Sequence, residues 1–317
     1  MADYFAKHSD HIVFDCGKCL SCRKKKAYEL ASRCLLHASL YENNCFLTLT
    51  YDETKEGYHN TFEYPDIQKF KKRLRQHCQR NHNGLRIEIF NVHEYGKNGK
   101  KHWHLIVFNY SPHQEPDQNK QPDCTVHSRS HGIGLYVSKT LSRLWPHGFS
   151  TVGDISGASA MYTAQYVNKD FKNGNTANSK KSHSKHSGIG RPYFLKHYNQ
   201  ILRLGYVPVD GKKLPVPRYF QKLAHKHYCH FYEPSAFFDT EDRKALYRPF
   251  KKEQPNVEIA ELYKAFRLKK QEHVKELEER WAEILGHHLT SKETPDFIKS
   301  NSNQVYDLRK KLTTERF

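Results

Sequence analysis

The sequence predicts an α+β fold: a central antiparallel sheet flanked by helices, followed by a mostly helical C-terminal region. Three observations carry this. Asn44 to Tyr51 (Asn-Cys-Phe-Leu-Thr-Leu-Thr-Tyr) has the aromatic and β-branched content of a strand. Two further strand-like stretches, Leu85 to Tyr95 and Lys101 to Tyr110, are separated by Gly96-Lys-Asn-Gly99, a hairpin signal. Helical patterns are interspersed with these strands. A hairpin makes its strands antiparallel, which favours α+β over a doubly wound parallel sheet.

The elements follow in order. The segment to about Asp15 is polar. Cys16-Gly-Lys-Cys19-Leu-Ser-Cys22 and the basic run Arg23 to Lys26 come next. Ala27, Leu30, Ala31, Cys34, Leu35, Ala38 and Tyr41 form a helical stripe. Pro65-Asp66 opens a second helix, with Ile67, Phe70, Leu74 and Cys78 on one face and Lys69, Lys71, Lys72, Arg73 and Arg75 on the other. Residues 111–131 are polar, carry three prolines and read as a surface loop. A helix is expected around Ile133–Trp145, a short strand at Phe149–Val152, and a helix from Ser156 to Asp170 capped by Ser156 or Ser159. Residues 171–192, rich in Ser, Lys, His and Gly, read as a mobile connection. Glu253 to about Leu285 reads as a long charged amphipathic helix. The chain thus divides into a cysteine-containing basic segment and helix (1–43), a core (44–192) and a partly helical basic region (193–317).

Charge sets the class of partner. Lys and Arg number 52 against 34 Asp and Glu, a net charge of +18. Nucleic acid is the leading partner, because basic groups that displace condensed counterions gain affinity from their release. An anionic membrane surface comes second, and a basic surface serving only solubility third. With 20 Tyr and 18 Phe a core can be built, which excludes wholesale disorder. No apolar run approaches the roughly 20 residues of a membrane span. Met1-Ala2-Asp3-Tyr4 does not begin a secretory signal, so a cytosolic, non-secreted protein is expected. Its cysteines are then reduced thiols or metal ligands. Cys16, Cys19 and Cys22 could give three thiolates to Zn²⁺, with Cys34 or His37 as a fourth ligand. The second Cys pair usual in closed zinc sites is missing, and reduced structural thiols are the alternative. Arg23 and Lys24, and Lys72 and Arg73, are the candidate phosphate contacts.

His102-Trp103-His104 is the sharpest local signal. In a strand, His102 and His104 share a face while Trp103 points to the other. Two imidazoles placed this way can hold one metal ion. If Lys97-Asn98-Gly99 is a three-residue loop with Gly99 left-handed, Glu94 lies opposite His102 and adds a carboxylate. A two-residue Asn-Gly turn would put Glu94 opposite Trp103 instead. Both hairpins are open at this point. The first gives a two-histidine, one-carboxylate site suited to Mg²⁺ or Mn²⁺ at a phosphodiester. Tyr162 and Tyr166, four apart on a helix, share a face that Lys169 extends. Aromatic packing is the ordinary role of such a pair. The alternative is covalent catalysis, in which a phenol is activated by a cation or base.

Phe46-Leu-Thr-Leu-Thr-Tyr51, Glu94-Tyr-Gly, His102-Trp-His104 and Tyr162-Thr-Ala-Gln-Tyr166-Val-Asn-Lys169 occur in one order. The combination resembles the HUH endonucleases that start rolling-circle replication. Within them it is most similar to the initiators of the microviruses, of the gokushovirus type, as in a chlamydia phage. Cys16-x-x-Cys19-x-x-Cys22-Arg23, Trp145-x-x-Gly148 and Gly188-Ile-Gly190 fit that subgroup, and the likeness spans about residues 16–190. It implies that 44–192 is an HUH endonuclease domain that nicks viral origin DNA in the host bacterial cytoplasm. It implies a divalent metal on His102, His104 and Glu94, with Tyr162 and Tyr166 as nucleophiles and Lys169 as a basic partner. A 5′-phosphotyrosine link, a free 3′-OH for a polymerase and later recircularisation of the displaced strand belong to the same expectation, with a host helicase as a further partner. Gln165 stands where many relatives carry a basic residue. The competing class is a non-enzymatic nucleic-acid-binding protein with cysteine-ligated zinc. Such a protein would form no covalent adduct with DNA.

Overall fold

The computed structural model describes residues 20–56, 58, 63–96, 99–115, 122–130, 133–169, 182–183, 188–209, 211–234 and 254–285. They fall into two compact units. One comprises Lys24–Ile201 and Tyr206–Phe220, and the other takes in Leu202–Gly205 and the described residues from Gln221 onward.

The first unit is built on a seven-stranded antiparallel sheet with strand order β4-β5-β6-β1-β3-β2-β7. The strands are β1 (Asn44–Tyr51), β2 (Glu88–Tyr95), β3 (Lys101–Phe108), β4 (Cys124–Ser130), β5 (Ile133–Ser138), β6 (Gly148–Gly153) and β7 (Ser182–His183). The expected α+β architecture is present. The strand patterns around 44–51 and 101–110 map onto β1 and β3, and that of 85–95 onto β2. Central β1 pairs with β3 on one side and β6 on the other.

Alternation along β1 separates the two faces of the sheet. Cys45, Leu47, Leu49 and Tyr51 join Trp103, Leu105 and Val107 on one face. Helix α2 (Tyr64–Asn81) covers that face with Ile67, Phe70, Leu74 and Cys78, and the short α3 (Lys139–Leu144) adds Leu141. The other face carries Phe90, Val92, Ile106 and Phe108. It is covered by Ala27, Ala31, Cys34 and Ala38 of α1 (Leu20–Ala38) and by Ala160 and Ala164 of α4 (Gly157–Lys169). Small residues on α1 and α4 let both helices approach the strands closely. Ser156 caps α4. Its Oγ accepts from the Ser159 backbone N–H at 3.1 Å, and the Ser159 Oγ accepts from the Ser156 N–H at 2.8 Å, a reciprocal capping box.

Helix α5 (Arg191–Leu204), the hairpin β8 (Tyr206–Val209) and β9 (Lys212–Pro215), α6 (Arg218–Tyr232) and α7 (Val257–Leu285) complete the described chain. In the second unit Asn256 begins α7, its Oδ1 accepting from the Ile259 N–H at 3.0 Å. Tyr263 lies 6.1 Å from Tyr228 of α6, ring centre to ring centre. Among the described residues no helix is long and apolar enough to cross a membrane.

Three expectations are corrected. The segment around Ile133–Trp145 is a strand followed by a helix. Ile133 to Ser138 pairs with β4 and β6, and the helix starts only after Ser138, whose Oγ accepts from the Leu141 N–H at 3.0 Å. The 111–131 loop contains β4, which pairs with β5 despite its polar sequence because one strand of an edge hairpin can stay wet. Lys71 leaves the solvated face of α2. It is buried, and its Nζ donates to Asn91 Oδ1 at 3.0 Å; burial, aided by Arg75, lowers its pKa to about 8. Of the segment 171–192, residues 170–181 and 184–187 lie outside the described residues.

Gly148 in β6 sits against β1 so closely that a Cβ would collide with the Thr50 carbonyl oxygen and the Asp52 backbone nitrogen. Gly148→Ala is expected to cost about 1–3 kcal/mol by overpacking this strand pair. Urea unfolding of wild type and variant measures it. An unchanged midpoint would contradict the β1–β6 register.

Candidate active site

The hairpin between β2 and β3 sets the site. The Gly96 N–H donates to Lys100 O at 2.8 Å, the Gly99 N–H donates to Gly96 O at 2.9 Å, and Gly99 has φ 76°. Lys97 and Asn98 lie outside the described residues. The register places Glu94 opposite His102, so the three-residue loop is the one adopted. On β1, Thr48 stands opposite His104 and Thr50 opposite His102. Phe46, Thr48, Thr50, Glu94, His102 and His104 therefore share the face that α1 and α4 partly cover.

Each histidine is held at its Nδ1. Thr50 Oγ1 lies 2.9 Å from His102 Nδ1, and Thr48 Oγ1 lies 3.2 Å from His104 Nδ1. That leaves both Nε2 atoms for the site. His104 Nε2 meets Glu94 Oε2 at 3.0 Å, and the two imidazoles stack 6.2 Å apart. Phe46 stacks on His104 at 5.7 Å. Gly96 gives His102 its room, since a Cβ there would come within 2.9 Å of His102 Nε2. Burial lowers the His102 pKa, and His104 and Lys100 lower it further, while Glu94 pulls it up.

Helix α4 brings in the tyrosine. Ala160 and Ala164 are buried against the sheet, and Tyr162 between them is 43% exposed. Its ring packs edge-on to His104 at 5.2 Å, and its hydroxyl donates to Glu94 Oε2 at 3.2 Å. Glu94 thus joins a histidine and a tyrosine at a single carboxylate oxygen. Tyr166 and Lys169 follow on the same helix, but their side chains lie outside the described residues.

Beneath the histidine strand is a buried polar layer. Trp103 Nε1 donates to Tyr51 Oη at 3.1 Å, and Tyr51 donates to Asp66 Oδ2 at 3.1 Å. Buried Lys101 places its Nζ over the rings of Tyr51 and Tyr58, at 4.2 and 4.3 Å.

Phe46, Thr48 and Thr50 belong to the site through their contacts, and sequence reasoning assigned them no role there. The signal was the alternation in β1, which puts all three on one face. The candidate phosphate contacts separate. Exposed Lys24 stands on α1, over the site's face of the sheet, and Arg23 is partly buried. Exposed Lys72 stands on α2, over the opposite face, and Arg73 Nη1 donates to Leu144 O at 3.0 Å. Cys16 and Cys19 lie outside the described residues, and Cys22 is buried. His37 is already engaged, its Nδ1 accepting from the Gly190 N–H at 3.3 Å. Burial raises the Cys34 thiol to about 12.

Residues 44–171 match a family model described as replication-associated protein ORF2. The replication-associated protein ORF4 of Chlamydia phage 1 is 33% identical over 238 residues, 73% of this chain and 57% of that protein. VP4 of Bdellovibrio phage phiMH2K is 31% identical and ORF2 of Spiroplasma virus 4 is 33% identical, each match covering 68% of this chain and 69% of the relative; both are replication-associated proteins. The chain therefore spans little more than half the length of the Chlamydia phage protein. No solved structure matches the chain.

The surroundings of His102 fix a titration result. In the metal-free protein its imidazole should titrate below the ordinary value of about 6.5. Glu94→Gln should lower it further, because the carboxylate that favours the imidazolium is gone. Imidazole NMR against pH reads both. A shift upward in the variant would contradict the placement of Glu94 beside the two histidines.

Proposed function

The chain belongs to the replication-associated protein family of these phages, and from that premise we propose that it initiates rolling-circle DNA replication as a tyrosine endonuclease and strand transferase. The observation that carries the reading is the Tyr162 hydroxyl, 3.2 Å from Glu94 Oε2 on the face that holds His102 and His104. The substrate is single-stranded or nicked viral origin DNA, and the setting is the host cell.

The donor set suits a divalent metal. Threonines occupy both Nδ1 atoms, so two Nε2 atoms and the Glu94 carboxylate remain as ligands, as expected of histidines oriented from behind. Mg²⁺ or Mn²⁺ held by Glu94, His102 and His104 would supply Lewis-acid polarisation of the scissile phosphate. The chain's own groups do the rest. Glu94 accepts the phenol hydrogen of Tyr162 and orients the oxygen. That oxygen attacks phosphorus, the bond from phosphorus to the 3′-oxygen breaks, and the proton lost by the phenol ends on the departing 3′-hydroxyl. The products are a 5′-phosphotyrosine and a free 3′-OH, which a host polymerase extends, with a host helicase separating the strands. Because the ester keeps the energy of the broken phosphodiester, attack by a 3′-OH reverses the step and closes a circle. Tyr166, one turn on, is the second nucleophile, and Lys169 a basic partner to the pair.

A denaturing gel of the protein with labelled origin single strand, with Mn²⁺ or with EDTA, tests the reading. An adduct that survives denaturation, needs the metal, persists in Tyr162→Phe or Tyr166→Phe and vanishes in the double variant is the expected result. Tight binding with no adduct on any origin fragment would overturn it in favour of a non-enzymatic DNA-binding protein.

The threonines give a second expectation. Thr48→Val and Thr50→Val should each weaken metal affinity or cleavage by roughly 10–100-fold while leaving the fold intact. Cleavage rates across a Mn²⁺ titration measure this, and wild-type rates in both variants would remove the threonines from the site.

A further inference from the structure

A separate group of metal-ligating side chains lies on the other side of the sheet. His77 is in the last turns of α2 and His82 caps that helix. Glu115 follows the short 3₁₀ turn Pro112–Gln114. His77 Nε2 is 2.6 Å and His82 Nε2 3.2 Å from the same carboxylate oxygen, Glu115 Oε1. The ligand atoms of all three residues lie within 4.8 Å of one another. Tyr110 Oη also donates to that oxygen. Cys78 and Tyr110 beside them belong to the core under α2, the face opposite Glu94, His102 and His104.

We propose that His77, His82 and Glu115 bind Zn²⁺. Three features argue for it. Two histidines separated by four residues have the spacing of zinc-binding pairs, and two imidazoles with one carboxylate are a known zinc set that leaves a fourth position for water. Asn81 Nδ2 lies 2.8 Å from His77 Nδ1, which turns His77 Nε2 toward the cluster, as an outer partner does for a ligating histidine. Glu115 is 7% exposed, so its carboxylate is withdrawn from water, and His77, His82 and Tyr110 all converge on one of its oxygens. Magnesium and calcium, which prefer oxygen ligands, do not suit this set. The other trio of this kind among the described residues, His225, Cys229 and Glu233 along α6, is less suited, because Arg267 Nη1 already lies 3.5 Å from Glu233 Oε1 and competes with a cation there. Zinc at His77, His82 and Glu115 would tie the end of α2 to the segment that leads from β3 into β4.

The test uses the full chain with His102→Ala and His104→Ala, which removes the two imidazoles of the other site. Zn²⁺ alone is titrated against a chromophoric competitor, and melting is followed with and without one equivalent. The expected result is that adding His82→Asn lowers the stoichiometry by one equivalent and abolishes the zinc-dependent rise in melting temperature. His77→Gln, made separately, should do the same, so a folding defect in one variant does not decide the outcome; circular dichroism identifies a folded variant. Cys16→Ser, Cys19→Ser and Cys22→Ser together should leave this equivalent in place. Unchanged stoichiometry in folded His82→Asn and His77→Gln variants would overturn the proposal, as would an equivalent lost only with the cysteines.

Discussion

The pairing of β1 with β3 is the constraint on which both the core and the site depend. Its register sets Thr48 against His104 and Thr50 against His102 on one face, and Leu49 against Trp103 and Leu47 against Leu105 on the other. Side chains alternate with a period of two, so a slip of one residue would send the leucines to the site and the threonines to the core. The apolar face prevents that slip, because Leu47, Leu49, Trp103 and Leu105 are all buried against α2 and its neighbours. Positioning of the histidines is thus a by-product of core packing. Strand β2 is bound by the same logic. Ile89 enters the core under α2, Phe90 and Val92 the core under α1 and α4, and Glu94 continues the second set out to the site.

The tyrosine reaches the site by a different device. Helix α4 has little apolar surface with which to anchor itself, and it relies on small residues and a well-defined start. The Ser156–Ser159 box fixes where the first turn begins. Ala160 and Ala164, both fully buried, fix which side of the helix meets the sheet. Tyr162 is two residues from each alanine, hence on the flank rather than the buried side, and it meets His104, Phe46 and Glu94 at the edge of the covered area. Larger residues in place of the alanines would lift the helix and carry the hydroxyl away from Glu94.

Elements with a strong period were legible in the sequence, and those whose placement depends on partners were not. The hydrophobic stripe of α2 and the strand content of β1 and β3 are properties of the local sequence. The His102–His104 pair and the Tyr162 helix were legible for the same reason, since strand and helix geometry alone put those residues on definable faces. Glu94 was legible only conditionally, because two hairpins fit Gly96-Lys-Asn-Gly99 and the pairing decides between them. Strand β4 was not legible. Thr-Val-His-Ser-Arg-Ser has no buried face to mark it, and it is a strand because β5 offers it a ladder. Lys71 was misplaced because helical periodicity put it with the charged face, whereas Asn91 of β2 gives its ammonium a buried partner. The threonines at Nδ1 were not read as site residues, since their role exists only once β1 lies beside β3.

The position of the basic residues bears on how a polyanion would lie on the molecule. The chain carries +18 overall, yet a charge surplus says nothing about direction. Lys69 and Lys72 are exposed on α2, which covers the face of the sheet away from Tyr162. Lys24, Lys25 and Lys26 are exposed on α1, which shares the face of Glu94, His102 and His104. On the function proposed for the site, a single strand lying across Tyr162 has the α1 lysines on its own side of the sheet, and the α2 lysines are screened from it by the sheet and its core. Exposed charges further apart than the Debye length, about 8 Å at physiological ionic strength, contribute little to one another's partners. The two basic helices therefore serve different parts of a nucleic acid: α1 acts beside the site, and α2 contacts only DNA that wraps past the edge of the sheet.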